Sequence, residues 1–444
     1  MRDLSQLRQD ALEIFHACVK AADPDRAVRN SLRLVGNELF FGVNNHVGLQ
    51  DFERIIVLGA GKASASMAGA LESLLADSIH EGLVAVKYGH GKRLEKVRVL
   101  EAGHPIPDLR SESASLQILA LADSLSEKDL VISCISGGGS ALLAAPAPGI
   151  SLSDKQWITE SLISAGADIY EINAVRKHLS TIKGGRLAEC VYPATVINLM
   201  LSDVIGDDPG TIGSGPFAGD VTTFETAWSV MERFGLLEKV PRSVIIHLKG
   251  GMKGLRPETP KPEDAIFGKV FNIVIGSNIA SLMAGKARAS ELGYNAAVLS
   301  STLRGDTIEA ARFHAHIAEE IRASGNPLHS PACVLSGGET TVSVRGTGLG
   351  GRNQHFIMSI VKEVSRIKEA VFLSAGSDGT DGPTDAAGAV ADSETLRRAE
   401  FLELDPNEFL LNYDSYHFFE ALGDLVITGP TFTNVMDIRL VLLA

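Results

Sequence analysis

Short, fully apolar segments alternate with segments of helical periodicity along most of the chain. Each apolar segment ends in a glycine- or serine-rich turn, and a helical pattern follows; residues 54–58 (RIIVL), for example, lead into GAGKASASMAGALESLL. Strands that are apolar on both faces are typical of a parallel sheet covered by helices on both sides. The pattern therefore predicts βαβ units and a doubly wound, Rossmann-like parallel sheet. Further strands of this first series are predicted at residues 82–87, 97–101, 129–135 and 195–201.

A second series of strands follows a polar, proline-rich segment at residues 249–265. Its predicted strands are residues 271–275, 296–299, 332–335, 370–373, 425–427 and 437–443. A chain of 444 residues exceeds the size at which one hydrophobic core usually stops growing. We therefore predict an N-terminal Rossmann-like domain at residues 1–240 and a C-terminal α/β domain at residues 241–444, with the boundary near residues 236–250. The last strands could also return to the first domain.

The composition is that of a folded, acidic protein. Hydrophobic residues make up 45% and charged residues 21%, and the net charge is −13, which argues against nucleic acid or an anionic membrane as a general partner. The four cysteines form no CxxC, so we expect no zinc site and a reducing, cytoplasmic location. Apolar positions in residues 4–18 predict an amphipathic helix on a domain rather than a secretion signal. No apolar stretch of about 20 residues is present, so no membrane span is expected.

A glycine-rich turn with a lysine follows the first predicted strand. Gly59, Gly61 and Lys62 stand in GAGKAS, where a helix begins and where backbone N–H groups and the helix dipole attract an anion. The turn could also serve packing alone, or bind a dinucleotide. Against the dinucleotide, Ser64 replaces a third glycine, and residues 87–89 (KYG) lack the acid that would hold a ribose. We therefore predict an anion site in which Lys62 supplies a cation.

Two further glycine clusters of the first half carry hydroxyl groups or cations. The SGGGS segment can form a nest of N–H groups around a phosphate or carboxylate; alternatively it is a tight turn with a serine as helix cap. The KGGR segment is either part of a ligand site or part of a solvated helix face. We predict that both clusters bind ligand, through residues Ser136, Gly137, Gly138, Gly139, Ser140, Lys183 and Arg186.

Asp203 directly follows the predicted strand at residues 195–201, in the sequence LSDVIGDDPG. Ligands of α/β proteins bind at the carboxyl ends of parallel strands. A carboxylate at that place holds magnesium or accepts a proton from a substrate hydroxyl. The neighbouring Asp207 and Asp208 are at least as well explained as turn formers. We therefore predict Asp203 as the base or metal ligand.

The second half of the chain offers its own candidates. In SGGETTV, Gly337 and Gly338 could present backbone donors to phosphate, with Glu339 near a metal. In GLGGRNQ, Arg352 stands at a predicted helix N-terminus, a position that favours anions. In SAGSDGTDG, Asp378 follows another strand, and we predict that this loop contacts nucleotide or magnesium. No GxxxxGK[ST], HRD or DFG occurs, which argues against a P-loop enzyme and a protein kinase.

Taken in order, these motifs resemble the glycerate 2-kinase family with a C-terminal MOFRL domain. The resemblance extends from about residue 57 to residue 389 and rests on GAGKASASMA, EAGHPIPD, SGGGSALLAAP, NAVRKHLSTIKGGRLA, LSDVIGDDPGTIGSGPF, SGGETTV, GGRNQ and SAGSDGTDGPTDAAGA. It implies an active site in the cleft between two α/β domains, the use of ATP and Mg²⁺, and conversion of D-glycerate to 2-phosphoglycerate. It also implies that Lys62 and Arg352 act in that cleft.

We therefore predict a kinase that phosphorylates D-glycerate by direct in-line transfer, with Lys62, Arg352 and Asp203 as catalytic residues. Such a reaction asks the protein for positioning and neutralised charge rather than for covalent chemistry. Two alternatives stay open: an NAD(P)H-dependent hydroxypyruvate reductase, a name that family members have also carried, and a non-catalytic sugar-acid-binding module. The 2-position rests on the resemblance alone. The sequence does not fix the oligomeric state, and a homodimer is compatible with it.

Overall fold

The computed structural model describes residues 3–444, and its contacts divide the chain into two compact units. We name residues 24–275 the Rossmann unit, and residues 3–23 together with residues 276–444 the C-terminal unit. The chain begins with helix α1 (Leu4–Ala21), which the apolar periodicity predicted and which belongs to the C-terminal unit.

The Rossmann unit contains nine strands and nine α-helices among its described residues. The strands are β1 (Leu32–Val35), β2 (Glu38–Phe41), β3 (Asn45–Gly48), β4 (Arg54–Ala60), β5 (Ile79–Lys87), β6 (Val97–Ala102), β7 (Asp129–Ile135), β8 (Thr195–Leu201) and β9 (Val270–Gly276). The helices are α2 (Pro24–Ser31), α3 (Ser64–Leu75), α4 (Leu109–Ala122), α5 (Gly139–Leu142), α6 (Leu152–Ser164), α7 (Ile169–His178), α8 (Arg186–Val191), α9 (Phe224–Arg233) and α10 (Arg242–Met252).

The main sheet of this unit has the strand order β6-β5-β4-β7-β8-β9. Strand β4 pairs in parallel with β5 and β7, and β5–β6 and β7–β8 are parallel as well. Counted along the chain this is the order 3-2-1-4-5-6 of the doubly wound Rossmann fold. Strand β7 is buried at every position, which explains its continuous apolar run and confirms the predicted parallel sheet. A separate antiparallel sheet, β1-β2-β3, precedes it in sequence.

The C-terminal unit adds six strands and seven further helices to α1 within the described part of the chain. The strands are β10 (Asn295–Leu303), β11 (Ala332–Gly338), β12 (Ala370–Gly376), β13 (Gly388–Asp392), β14 (Leu425–Val426) and β15 (Asp437–Leu443). The helices are α11 (Asn278–Glu291), α12 (Thr307–Ser324), α13 (Arg352–Met358), α14 (Val361–Val364), α15 (Thr395–Phe401), α16 (Pro406–Asn412) and α17 (Ser415–Leu422).

Strand β15 lies at the centre of the second sheet, whose order is β10-β11-β15-β12-β13-β14. It runs antiparallel to β11 and β12 on either side and is buried along its whole length. The idea that the last strands return to the first domain is therefore wrong. Five of the seven residues of β15 are apolar, and such a strand is stable where both faces and both edges are covered.

The two units differ from the predicted ranges 1–240 and 241–444 in two places. Residues 271–275, predicted to open the second series, lie in β9 at the edge of the Rossmann sheet next to β8. The proline-rich segment before β9 is thus a connection inside the Rossmann unit, which ends at Ile275. In addition, α1 packs on the C-terminal sheet through Leu7, Ile14 and Phe15, because its apolar stripe needs a partner surface.

The packing of α1 leads to a first stability prediction, at Gly285 of α11. A Cβ atom on Gly285 would lie 2.3 Å from Cys18 Sγ and 2.8 Å from Leu335 Cδ2, so α1 must shift to admit it. We expect Gly285→Ala to lower the free energy of unfolding by about 1–3 kcal/mol, in spite of the better helix propensity of alanine. Urea unfolding of the full chain measures this difference.

Gly250 of α10 provides the matched control, since its nearest neighbour would be the flexible Arg256 side chain, with Nε at 3.3 Å. Gly250→Ala should be neutral or stabilising by up to about 1 kcal/mol. Equal effects of the two substitutions would contradict the tight packing of α1 on α11.

Candidate active site

The carboxyl ends of β4 and β7 mark the point where the strand order of the Rossmann sheet reverses. Connections that leave adjacent strands there in opposite directions open a crevice, in which α/β proteins bind their ligands. The lysine loop (residues 59–64, GAGKAS) follows β4, and the triple-glycine loop (residues 136–140, SGGGS) follows β7. The structure thus brings together two motifs that are far apart in sequence.

Direct hydrogen bonds hold the lysine loop against the triple-glycine loop. The backbone N–H of Lys62 donates to the Gly137 carbonyl at 2.8 Å, and that of Ala63 donates to Ser136 Oγ at 3.0 Å. Gly61 has φ +144°, and a Cβ there would lie 2.1 Å from Ser136 Oγ, so only glycine allows this approach. The two loops are therefore hydrogen-bonded to each other at the carboxyl ends of β4 and β7.

Three side chains surround the triple-glycine loop. A Cβ on Gly138, which has φ +81°, would lie 2.7 Å from His104 Nε2 and 3.4 Å from Lys62 Cγ. A Cβ on Gly137 would lie 2.4 Å from Asp203 Oδ2. Lys62, His104 and Asp203 therefore approach the loop backbone as closely as they do because it carries no side chains. This places two of the three residues predicted as catalytic at one glycine-rich loop.

The sequence analysis did not select His104. The residue follows β6 within EAGHPIPD, and a histidine just beyond the carboxyl end of a predicted strand was the available signal. Burial lowers the pKa of His104 to about 4, with further lowering by Lys62 and Lys87. Among the described residues, none bonds its buried Nδ1. His104 is thus a neutral imidazole at physiological pH.

Ser140, Lys183 and Arg186 have structural partners inside the Rossmann unit. Ser140 does not cap a helix, because Gly138 precedes α5; its hydroxyl instead bonds Ser214 Oγ at 2.8 Å. Lys183 Nζ donates to the Ser140 carbonyl at 2.8 Å, so a buried amino group supports the triple-glycine loop. Burial, followed by Lys155 and Arg176, holds the pKa of Lys183 well below its usual value. Arg186 donates to the Pro257 carbonyl at 3.1 Å.

A further buried cation, Lys155 of α6, was also missed by the sequence analysis. Its side chain is 8% exposed, and none of the described residues accepts a hydrogen bond from Nζ. Burial lowers its pKa to about 7; Arg176 contributes to the lowering, while Glu112 opposes it. Nothing in the sequence of α6 distinguishes a buried lysine from an exposed one, because lysine side chains commonly lie on helix surfaces.

The stability of the protein should depend on pH through Lys155. Its pKa is about 7 in the folded chain and near 10.5 in the unfolded chain, so the unfolded chain binds more protons between these values. Stability attributable to this group therefore rises with pH in that window, by at most about 1.4 kcal/mol per pH unit. Thermal melts at pH 7 to 9 should show the rise in the wild type, and Lys155→Met should lack it. Parallel pH profiles for the two proteins would contradict this assignment.

In the C-terminal unit, Arg352 begins α13 as predicted, but carboxylates already engage it. Asp437 accepts from Nε at 2.8 Å and from Nη2 at 2.9 Å, and Glu339 pairs with Nη1. Burial alone would lower the pKa of Arg352, but these two acids outweigh it and raise the pKa. Two acids therefore fix the orientation of the guanidinium.

Asp437 is the centre of this polar cluster and was missed by the sequence analysis. It is fully buried, and besides Arg352 it accepts from Asn353 Nδ2 and from Arg439 Nη2, each at 2.9 Å. Arg439 is itself 1% exposed and lies over the Phe356 ring. The available signal was the last predicted strand, in which an acid and an arginine interrupt an otherwise apolar run.

The other predicted residues of the C-terminal unit lie at strand ends. Gly337 and Gly338 end β11, where a Cβ on Gly337 would meet Asn278 Oδ1 at 1.9 Å. Asp378 accepts from Thr380 N and Oγ1 at 3.1 and 3.0 Å, as a turn former does. The neighbouring Asp381 is buried and accepts from the first backbone N–H groups of α13.

No three histidine, cysteine, aspartate or glutamate side chains among residues 3–444 gather closely enough to hold a metal ion. No helix in the same range has the length and apolar content needed to cross a membrane.

Two family models match this chain. The model described as Domain of unknown function (DUF4147) matches residues 10–249, and that of the MOFRL family matches residues 332–437. The chain is 39% identical to a glycerate 2-kinase of Pyrococcus horikoshii, over 97% of this chain and 96% of that protein. It is 40% identical to an Agrobacterium vitis protein named "Putative hydroxypyruvate reductase", over 98% and 94%.

A crystal structure described as glycerate kinase from Thermotoga maritima is similar throughout. It aligns with a TM-score of 0.88 at 38% identity and covers 99% of this chain and 100% of that one. Both the matched models and the fold agree with the resemblance drawn from the motifs. The chain belongs to the glycerate 2-kinase family with a C-terminal MOFRL domain.

Proposed function

We propose that this protein is a glycerate kinase that transfers the γ-phosphoryl group of ATP to the 2-hydroxyl of D-glycerate. The proposal rests on one observation: Lys62 lies beside the triple-glycine loop at the point where the strand order of the Rossmann sheet reverses. Kinases of similar sequence over nearly their whole length support the same chemistry.

In the proposed reaction the substrate hydroxyl oxygen attacks the γ-phosphorus, and the bond from that phosphorus to the β–γ bridging oxygen breaks. ADP leaves with the electron pair of the broken bond, and the hydroxyl proton goes to a base. Little covalent work is left to the protein, so positioning and charge neutralisation determine the rate. Lys62 and the N–H groups of the triple-glycine loop supply positive potential for the negative oxygens.

Asp203 is our candidate for the base. Its carboxylate lies against Gly137, two residues beyond the end of β8, so it is close to the anion-binding backbone. His104 also lies at this loop, against Gly138, but burial lowers its pKa to about 4, so it accepts a proton less readily than an ordinary histidine. A carboxylate can accept the proton as the new oxygen–phosphorus bond forms.

Magnesium is the metal that we expect, and Asp203 is the residue that would hold it. Mg²⁺ usually takes one or two carboxylates together with water and substrate phosphate oxygens, so a single carboxylate beside a phosphate-binding loop fits it. When bound, the ion neutralises charge on the transferring group. One carboxylate oxygen cannot both bind Mg²⁺ and accept the substrate proton. We therefore propose that one oxygen of Asp203 binds the metal and the other accepts the proton.

Arg352 is our candidate for the cation that the C-terminal unit contributes. Asp437 fixes its guanidinium from the buried side, while Glu339 is exposed and can be displaced. We propose that a substrate anion replaces Glu339 on Nη1. That the active site lies between the two units stays a prediction.

The reductase alternative finds less support. Strand β5 ends at Lys87, where a dinucleotide-binding Rossmann unit carries an acid for the ribose. A cation at this place repels no phosphate but cannot accept hydrogen bonds from ribose hydroxyls. The missing acid argues against NADH, and the kinases of similar sequence favour ATP over NADPH as the cosubstrate.

A pair of assays on the full chain tests the proposal. ADP formation with D-glycerate, ATP and Mg²⁺ should be fast, and NADH or NADPH oxidation with hydroxypyruvate should be absent. Phosphorus NMR of the product should show 2-phosphoglycerate. Reduction of hydroxypyruvate without ADP formation would establish the reductase instead, and activity in neither assay, with binding of sugar acids retained, would establish a binding module.

A further inference from the structure

A cavity of about 270 Å³ lies beside the triple-glycine loop, within the Rossmann unit. Ser140 and Ala141 form one wall, α6 and α7 form others, and residues 105–107 close it where the chain leaves His104. The cavity thus shares both the triple-glycine loop and the His104 segment with the candidate active site. Nothing in the roles assigned above uses this space.

Two lysines and an arginine line the cavity, and the amino group of one lysine is buried without a partner among the described residues. Lys155 is more than nine-tenths buried, and no acceptor among residues 3–444 meets its Nζ. Arg176 uses its Nε on Thr159 Oγ1 at 3.4 Å, and Lys183 binds the Ser140 carbonyl. The lining contains one carboxylate, Glu160, which is exposed. A buried ammonium is costly without a counter-charge, and an anion in the cavity would compensate it.

The shape and chemistry of the cavity suit a small acid. Apart from the cations, its wall is mostly aliphatic, with Ala144, Leu152 and Ile163 among the lining residues. Such a site fixes one anionic group by a few polar contacts and excludes water with the rest. Guanidinium and ammonium groups bind carboxylates through charge-assisted hydrogen bonds, which are the strong ones.

We propose that this cavity is the acceptor subsite, in which Lys155 and Arg176 bind the carboxylate of the hydroxy acid. This inference rests on the proposed kinase function and deepens it, since it assigns the carboxylate to the cavity and leaves Lys62 and Arg352 to the phosphates. Lys183 links the cavity to the loop through the Ser140 carbonyl. The hydroxyl of the bound acid is then presented to the triple-glycine loop.

Steady-state kinetics of Lys155→Met in the full chain test the proposal. Loss of one charge-assisted bond should raise KM for D-glycerate about 10- to 100-fold, while KM for ATP changes by less than about twofold. Lys155→Arg should recover most of the loss. Lys128→Met is the control for the same exchange elsewhere in the unit, because Lys128 is exposed and pairs only with the exposed Glu53. An unchanged KM for D-glycerate in Lys155→Met would overturn the inference.

A thermal melt separates a binding role from a structural one. If Lys155 only supported the fold, methionine would lower the melting temperature. If Lys155 is kept for ligand binding, removal of an unpaired buried ammonium should leave the melting temperature unchanged or higher at pH 7. Should Lys155→Met give no folded protein, Arg176→Gln at the half-buried position tests the same carboxylate contact.

Calorimetric binding distinguishes failure of this inference from failure of the kinase proposal. The wild type should bind D-glycerate, bind glycerol far more weakly, and lose this discrimination in Lys155→Met. If the enzyme phosphorylates D-glycerate but Lys155→Met binds D-glycerate as the wild type does, the subsite proposal is wrong and the kinase proposal stands. If D-glycerate binding depends on Lys155 but no phosphorylation occurs, the kinase proposal is wrong and the cavity is an acid-binding site. If inorganic phosphate binds as tightly as D-glycerate and this binding also depends on Lys155, the cavity is a phosphate site instead of a carboxylate site.

Discussion

Replacing Lys62 by methionine is expected to lower kcat for ADP formation by about 100- to 1000-fold. Lys62 is half-buried at the switch point, and its Cγ lies 3.4 Å from the place of a Cβ on Gly138. In the proposed reaction its ammonium neutralises the phosphate charge that develops at this loop. Methionine keeps the unbranched stem but removes the charge. Because the hydrogen bond of this residue to Gly137 is made by its backbone N–H, the loop should keep its conformation. Coupled-enzyme kinetics at saturating ATP and D-glycerate measure the change.

Two controls accompany this variant. Its melting temperature should match the wild type, which excludes a folding defect, and Lys128→Met should keep full activity, since that exposed lysine lies away from the loop. A Lys62→Met enzyme that turns over within about threefold of the wild type would show that the charge has no part in the transition state.

Asp437→Ala is expected to have the largest effect on stability, a loss of about 3–5 kcal/mol in the free energy of unfolding of the C-terminal unit. The carboxylate is fully buried and bonds two arginines. One of them, Arg439, is buried in the central strand, and its Nε and Nη1 have no hydrogen-bond partner among the described residues. Without Asp437 a buried guanidinium keeps its charge and loses its counterion.

Asp437→Asn provides the matched comparison, because it keeps the shape and one acceptor oxygen while removing the charge. It should cost less than the alanine variant but still lower the urea midpoint. Combining Asp437→Ala with Arg439→Met should recover part of the loss, since the double variant leaves no unpaired buried charge at position 439. Strictly additive losses would contradict the charge pairing.

The local elements were largely predictable from the sequence, and their partners were not. The strands at residues 129–135 and 195–201 were predicted with the bounds that the structure has, because two-sided burial produces a continuous apolar run. The same logic recognised residues 271–275 as a strand but placed it in the second domain. Periodicity indicates which faces of a helix or strand are buried, but it does not indicate which other element covers them.

The candidate site shows the same division. Glycine clusters pointed to the lysine loop and the triple-glycine loop, because glycine spacing is a local signal of close backbone approach. Asp437 was missed because its partner Arg352 lies 85 residues away in the sequence. Lys155 was missed because the sequence around a buried lysine does not differ from that around an exposed one. Pairing of charges across a fold is a long-range property that no local pattern contains.

The membership of α1 in the C-terminal unit has a consequence for biosynthesis. Helix α1 leaves the ribosome before β12 and β15, the strands on which its apolar stripe packs. The whole Rossmann unit is translated in between and can collapse on its own core, whereas α1 must wait with Leu7, Ile14 and Phe15 uncovered. A nascent chain halted before β15 would thus expose the apolar stripe of α1, and exposed apolar segments of this kind are bound by chaperones.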